Sequence, residues 1–292
     1  MRVERLHPGK IAIGGVVTGA LLLAAMGTYR RMADEREADQ AWRELSGSKQ
    51  AGGVRDRFDP SMVSQLPEPA RRYFGYVIEP GARLASTAVI TMEGELSLGS
   101  KQKPNYQPMR ARQLLSLPGG LVWRVQMGTG MLRGAGSDGM IGQRSWTRFW
   151  LLNLIPVARA GGNPDHLRSS FGRVVAEAAI WTPAALLPAP GIVWSAVDAD
   201  TARATVTHEG MTQEVDIRVN AQGQPAWVKI QRWSNANPQG EFRLQPFGGQ
   251  VSDFRKVDGY TLPFRVDGGN FFGTQDYFPF YRARVQKIEL TP

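Results

Sequence analysis

DHLRSSFGRVVAEAAIWTPAALLP, residues 165–188, lies between two blocks of strand-like sequence and carries the apolar pattern of a helix. At 100° per residue, Leu167, Phe171, Val174, Ala178 and Trp181 fall in one narrow stripe with Val175 beside it. A helix with one apolar face needs a surface to cover, and the flanking strands supply it. Asp165 is placed to cap the first turn, and the covering helix is read over residues 165–188. Glu177 sits about 100° from the stripe's centre and marks its border. Two partners are open to its carboxylate: a sheet arginine such as Arg112 or Arg124 across a cavity, or Arg173 one turn earlier.

Outward from this helix the chain alternates with a period of two. Ala88, Ile90, Met92, Leu96 and Leu98 oppose Thr87, Thr91, Glu93, Glu95 and Ser97. Met109, Ala111 and Leu115 oppose Arg110, Arg112 and Ser116; past Pro118-Gly119-Gly120, Leu121, Trp123, Val125 and Met127 oppose Arg124 and Gln126. The pattern predicts a hairpin with one apolar and one arginine-bearing face. IVWSAVDAD, TARATVTHEG, MTQEVDIRVN and PAWVKIQRW continue as a meander, Gly248-Gly249 reads as a bulge or bend, and Asp258-Gly259 is the strongest hairpin signal. Strands follow one another instead of alternating with helices. The expectation is therefore a mainly β (α+β) fold: a large curved antiparallel sheet or half-open β-barrel of about ten to twelve strands, covered by helices.

Composition narrows the function. The net charge of +9 invites a nucleic-acid reading, but Arg2, Arg5, Lys10, Arg30 and Arg31 against Glu4 put +4 in the first 33 residues, leaving +5 over the other 259. No basic run occurs in that remainder, so no nucleic-acid partner is expected. Cysteine is absent, and His7, His166 and His208 lie far apart, so no metal site and no cofactor is expected. GTGMLRGAGSDGMIGQRSW matches neither phosphate-loop pattern, and GxSxG and HExxH are missing. An enzyme is the weaker alternative, as an uncharacterised hydrolase or isomerase.

At the N-terminus, residues 11–29, IAIGGVVTGALLLAAMGTY, carry no charge and span roughly 28 Å as a helix, close to the bilayer hydrocarbon thickness. The expectation is an uncleaved single-pass anchor in residues 1–33, with a signal peptide ending near Ala25 and Gly27 as the alternative. Three basic residues on each side leave orientation open; the working choice puts the protein in the cytoplasmic membrane with its large domain on the periplasmic or extracytoplasmic side. Residues 34–60 read as a juxtamembrane helix and linker. Residues 61–292 read as one antiparallel β domain, opened by a short helix in LPEPARRYFGYVIEPG.

LPEPARRYF at 66–74, RARQ at 110–113, SSFGRVVAEAAIWTPAALLP, FGG at 247–249 and GYTLPFRV at 259–266 together resemble a bacterial family of membrane-anchored β-rich proteins of unknown function. The resemblance covers roughly residues 60–292. The Asp-Gly-Tyr-x-Leu-Pro hairpin and the basic last strand also look like the end of the periplasmic lipoprotein-carrier half-barrel, which implies a concave apolar side plugged by helices and able to hold acyl chains.

The expected function is that of a membrane-tethered envelope protein binding a lipid or other apolar ligand between the sheet and its covering helix. Candidate ligand residues are Trp123, Phe171, Val174 and Trp181 for the apolar part, Arg112 or Arg124 for a charged head, and Glu177 at the border. The alternative is an envelope scaffold whose aromatic C-terminal hairpin docks a protein.

Overall fold

The period-two alternation is carried by thirteen strands that join, all antiparallel, into one curved, unclosed sheet. The computed structural model describes residues 8–47 and 56–291, with side chains from residue 24 onward. Residues 1–7, 48–55 and 292 and the side chains of residues 8–23 lie outside the described residues, and with them parts of the anchor read at 1–33 and of the helix and linker read at 34–60. The strands are β1 (Thr87–Ser97), β2 (Tyr106–Ser116), β3 (Gly120–Met127), β4 (Gly134–Ile141), β5 (Arg144–Leu151), β6 (Ile155–Gly161), β7 (Ile192–Asp198), β8 (Thr201–His208), β9 (Met211–Val219), β10 (Pro225–Ser234), β11 (Arg243–Val257), β12 (Tyr260–Asn270) and β13 (Phe278–Thr291). Three helices accompany them: α1 (Pro8–Gly47), α2 (Glu68–Val77) and α3 (Pro164–Trp181).

Along the sheet the order is β6-β5-β4-β3-β2-β1-β13-β12-β11-β10-β9-β8-β7. Both free edges are thus consecutive in sequence, and α3 is the connection between them. It crosses the concave face to reach from β6 to β7, resting on β9, β10 and β12 to one side and on β2 to β5 to the other. The predicted stripe is the buried one: Phe171, Val174, Ala178 and Trp181 are at most 1% exposed. Gly172 lets the helix approach closely, since a Cβ there would lie 2.8 Å from Gln213 Oε1. α2 fills the neighbouring part of the same face, where the Tyr73 hydroxyl donates to the Ala179 carbonyl at 2.8 Å and Phe74 meets Trp194 edge to face.

Turn chemistry acts as read at Asp258-Gly259, where both residues take positive φ (50° and 84°) and join β11 to β12 through a two-residue loop. Gly248 and Gly249 stay in register opposite Gly269 and Gly268 and form no bulge there. The sheet has more strands than expected because the glycine-rich segment forms β4 and the start of β5, and because the largely exposed edge strand β6 has no alternation to read. Asn163, not Asp165, caps α3: its Oδ1 accepts from the His166 amide at 2.9 Å, with Pro164 following as the first helical residue. Asp165 instead accepts from the Trp233 indole N–H at 2.8 Å.

α1 runs unbroken from Pro8 to Gly47. Among the described residues no helix is long and apolar enough to cross a membrane. Its last part is no spacer, because residues 34–47 pack on the outer face of the sheet. Ala38, Ala41 and Leu45, one face of the helix by their spacing, bury against Leu114, Val122 and Trp146. Asp34, 7% exposed, accepts from the Trp150 indole N–H at 3.0 Å and pairs with Arg159 and Arg148. Asp34→Ala removes these charge-assisted bonds. It is expected to cost about 1.5–3 kcal/mol, read as a lower urea midpoint and as faster proteolysis within α1.

Candidate functional site

Beneath α3 the concave face is apolar except for one charged cluster. The cluster arises from helical spacing, since His166, Ser170, Arg173 and Glu177 recur at intervals of three and four and share a flank of the helix. Arg173 lies at its centre. Its guanidinium donates to Glu177 Oε1 at 2.5 Å, Asp138 Oδ2 at 2.6 Å and Gln113 Oε1 at 3.1 Å, and it stands 5.4 Å from the Trp123 ring. Gln113 on β2 donates in turn to the other Glu177 oxygen, and Asp138 on β4 also accepts from the Thr147 hydroxyl at 2.8 Å. Helix and two strands are tied through one guanidinium. Burial alone would lower the Arg173 pKa; the charges of Glu177 and Asp138 more than reverse this and hold it above the usual arginine value.

Two further groups lack such compensation. Arg232 on β10 reaches across from the opposite wing, donating to the Ser169 carbonyl at 3.3 Å and its hydroxyl at 3.1 Å, with its guanidinium 4.9 Å from the Phe247 ring. It has no carboxylate within ion-pair distance among the described residues. Burial pushes its pKa down to about 10, opposed by Asp138 and reinforced by the like charge of Arg173. It still carries its charge at neutral pH. Trp123, 5% exposed, has an indole N–H without a hydrogen-bond partner. Buried donors are as a rule paired, so this indole is an exception within the cluster. His166 sits at the rim, its ring nitrogens 3.0 Å from the Thr147 hydroxyl and 2.8 Å from that of Ser145; burial lowers its pKa against the pull of Asp138, and Arg232 lowers it further.

Half-buried aromatics surround the cluster where α3 meets the sheet. Phe149 and Tyr281 each lie 6.3 Å from Trp123, and Phe280 lies 6.4 Å from Phe247. Apolar walls with a few convergent polar groups are the usual make-up of a small-molecule site. Among the described residues no group of three or more metal-binding side chains is placed to hold an ion.

The structure separates the residues singled out in the sequence. Glu177 belongs to the charged cluster, and Trp123 lies beside it at the edge of the packed core. Phe171, Val174 and Trp181 face the sheet but are locked in the packed core, Trp181 donating to the Pro263 carbonyl at 3.3 Å. Arg112 and Arg124 lie on the other face of the sheet, where Arg124 pairs with Asp39 of α1 and Arg112 stands 5.0 Å from the Trp42 ring. Glu177 therefore takes Arg173, not Arg112 or Arg124, as its partner. Period two puts Arg112 and Arg124 on the face opposite Trp123, so neither can meet a ligand under α3. Missed in the sequence were Gln113, Asp138 and Arg232; the spacing of 166, 170, 173 and 177 was the signal for the helix side of the cluster.

A groove of about 1550 Å³ lies on the outer face, between α1 and strands β1 to β4, β12 and β13.

Residues 56–283 match the model of a family of unknown function, DUF6544. The chain belongs to this family. The membership meets the expectation raised by the LPEPARRYF and GYTLPFRV segments. No curated protein matches the chain. Among solved structures, a LolA superfamily protein from Nitrosomonas europaea aligns over 72% of this DUF6544 chain and 87% of its own, at 10% identity and a TM-score of 0.37. At that distance the match bears on neither ligand nor activity.

Proposed function

We propose that this DUF6544 protein is a membrane-tethered envelope protein that binds an amphiphile, a lipid or similar molecule, at the mouth between α3 and the curved sheet. The observation that carries the reading is the unpaired indole N–H of Trp123 beside Arg173, in a cluster whose second buried guanidinium, Arg232, has no carboxylate partner, set among half-buried aromatic rings. In this reading an anionic head accepts from Trp123 and Arg232, whose guanidinium has only neutral partners. The apolar part lies against Phe149, Phe247, Phe280 and Tyr281. Phe171, Val174 and Trp181 form the floor beneath it and do not enclose it. The tether is the uncharged run at 11–29, and the domain stands on the periplasmic or extracytoplasmic side.

Native mass spectrometry of the detergent-purified full chain, with lipid extraction in parallel, tests the site. The expected result is a bound amphiphile that is lost in Arg232→Gln while the melting temperature is held. A chain that carries no adduct, and takes none up when supplied with anionic amphiphiles, removes the proposal.

A further inference from the structure

From the groove on the outer face we infer a second anion site, one that takes the phosphate-bearing headgroup of an anionic phospholipid at the membrane surface. Ten of the groove's lining residues are arginines and six are aspartate or glutamate, an excess of four positive charges. Six of the arginines have carboxylate partners within ion-pair distance. Arg43, Arg112, Arg133 and Arg284 have none among the described residues; Arg112 stands over the Trp42 ring and interacts with Glu289 only through the field of its charge. Strand pairing sets Arg265 directly opposite Arg284 and Arg112 opposite Arg124, although on the β1 side Arg284 faces Glu93. Like charges facing each other across a ladder destabilise a sheet, and a bound anion relieves that repulsion. Guanidinium forks match phosphate oxygens in pairs.

What selects a lipid headgroup over a free anion is where the groove lies. Its α1 wall starts at Arg31, two residues after the uncharged run ends at Tyr29, and reaches Arg43, about 21 Å along the helix from Tyr29. Beside that end lies an exposed apolar patch. Tyr29 is 70% exposed and Met131 is 77% exposed, with Met26, Leu132, Leu152 and Leu154 also open to solvent. The parts of the patch touch one another: the Leu152 amide donates to the Arg133 carbonyl at 2.7 Å, and a Cβ on Gly27 would lie 2.8 Å from the Leu154 carbonyl oxygen. An apolar rim that enters the interface and a basic groove just above it match a headgroup layer. The choice of lipid rests on the tether proposed above; the charge argument for the groove does not.

The experiment is a calorimetric titration of the full chain, held in a neutral detergent, with dihexanoyl phosphatidylglycerol, dihexanoyl phosphatidylcholine and inorganic phosphate. Phosphatidylglycerol is expected to bind at least tenfold more tightly than either other probe, and to weaken about tenfold or more in the double variant Arg133→Gln/Arg284→Gln, since each basic residue near an anionic surface contributes about 1 kcal/mol. Both arginines are exposed and lack carboxylate partners, so the variant keeps the wild-type melting temperature. Equal binding of the two lipids, phosphate matching phosphatidylglycerol, or a double variant that binds like wild type would each overturn the site. Flotation on pure phosphatidylcholine vesicles reads the tether separately. A chain that does not float but prefers phosphatidylglycerol keeps the groove and loses the tether, and one that floats without that preference does the reverse.

Discussion

Replacing Arg173 by methionine is expected to lower the free energy of unfolding by about 3–5 kcal/mol, because it leaves two carboxylates in the concave face without their common cation. Asp138 and Glu177 are only 21% and 15% exposed in their side chains, and Arg173 only 14%. The long apolar stem of methionine fills much of the space, so the loss comes from stranded charge more than from a void. Equilibrium urea unfolding measures it. The companion variant Arg173→Met/Asp138→Asn/Glu177→Gln removes the stranded charges as well and is expected to recover most of the deficit. A triple variant as unstable as the single one would mean that shape, not charge, holds α3 at this point.

Trp181→Ala is expected to cost a similar amount, about 3–5 kcal/mol, by the other route: loss of a large buried ring and an incompletely collapsed void. Trp181 is 1% exposed and lies in the contact between α3 and the sheet. Its consequence for binding is opposite in sign. A void lined by apolar side chains stays dry and takes up small apolar molecules, so the variant should be stabilised by benzene or xenon where the wild type is not. A thermal melt with and without the gas or solvent shows this. Equal stabilisation of the wild type would place an apolar cavity under α3 after all and move the ligand's apolar part from the mouth into the core.

What the residues disclosed, and what they hid, follows from the range of the interactions. Leu167 to Trp181 on α3, most of the alternation in β1 to β3, and the Asp258-Gly259 turn are local patterns, and the structure has them as read; the exceptions are Leu98, exposed beyond the end of β1, and Ser97 and Ser116, which are buried. Periodicity also sorted Arg112 and Arg124 correctly onto the face opposite Trp123. It could not tell that this face is covered, because the cover is α1, and Asp39 is separated from Arg124 by 85 residues of chain. Asp34, Glu37 and Glu44 read as the polar surface of a spacer helix, yet each meets an arginine of the sheet. On the concave side Asp138 stood in a glycine-rich run whose missing side chains erase the alternation that would have placed it. Arg232 shares the cluster only because the two wings curve toward each other.

The pairing of β1 with β13 at the centre of the sheet also sets an order of events for the growing chain. Thr87 is hydrogen-bond neighbour to the strand that ends at Thr291, so the β1–β6 wing and the β7–β12 wing remain two half-sheets, each with an unpaired inner edge, until the last 14-residue strand is synthesised. Such long-range pairing folds slowly and leaves edges open to other chains meanwhile. The two wings thus join only once β13, the last of the thirteen strands in chain order, has been made.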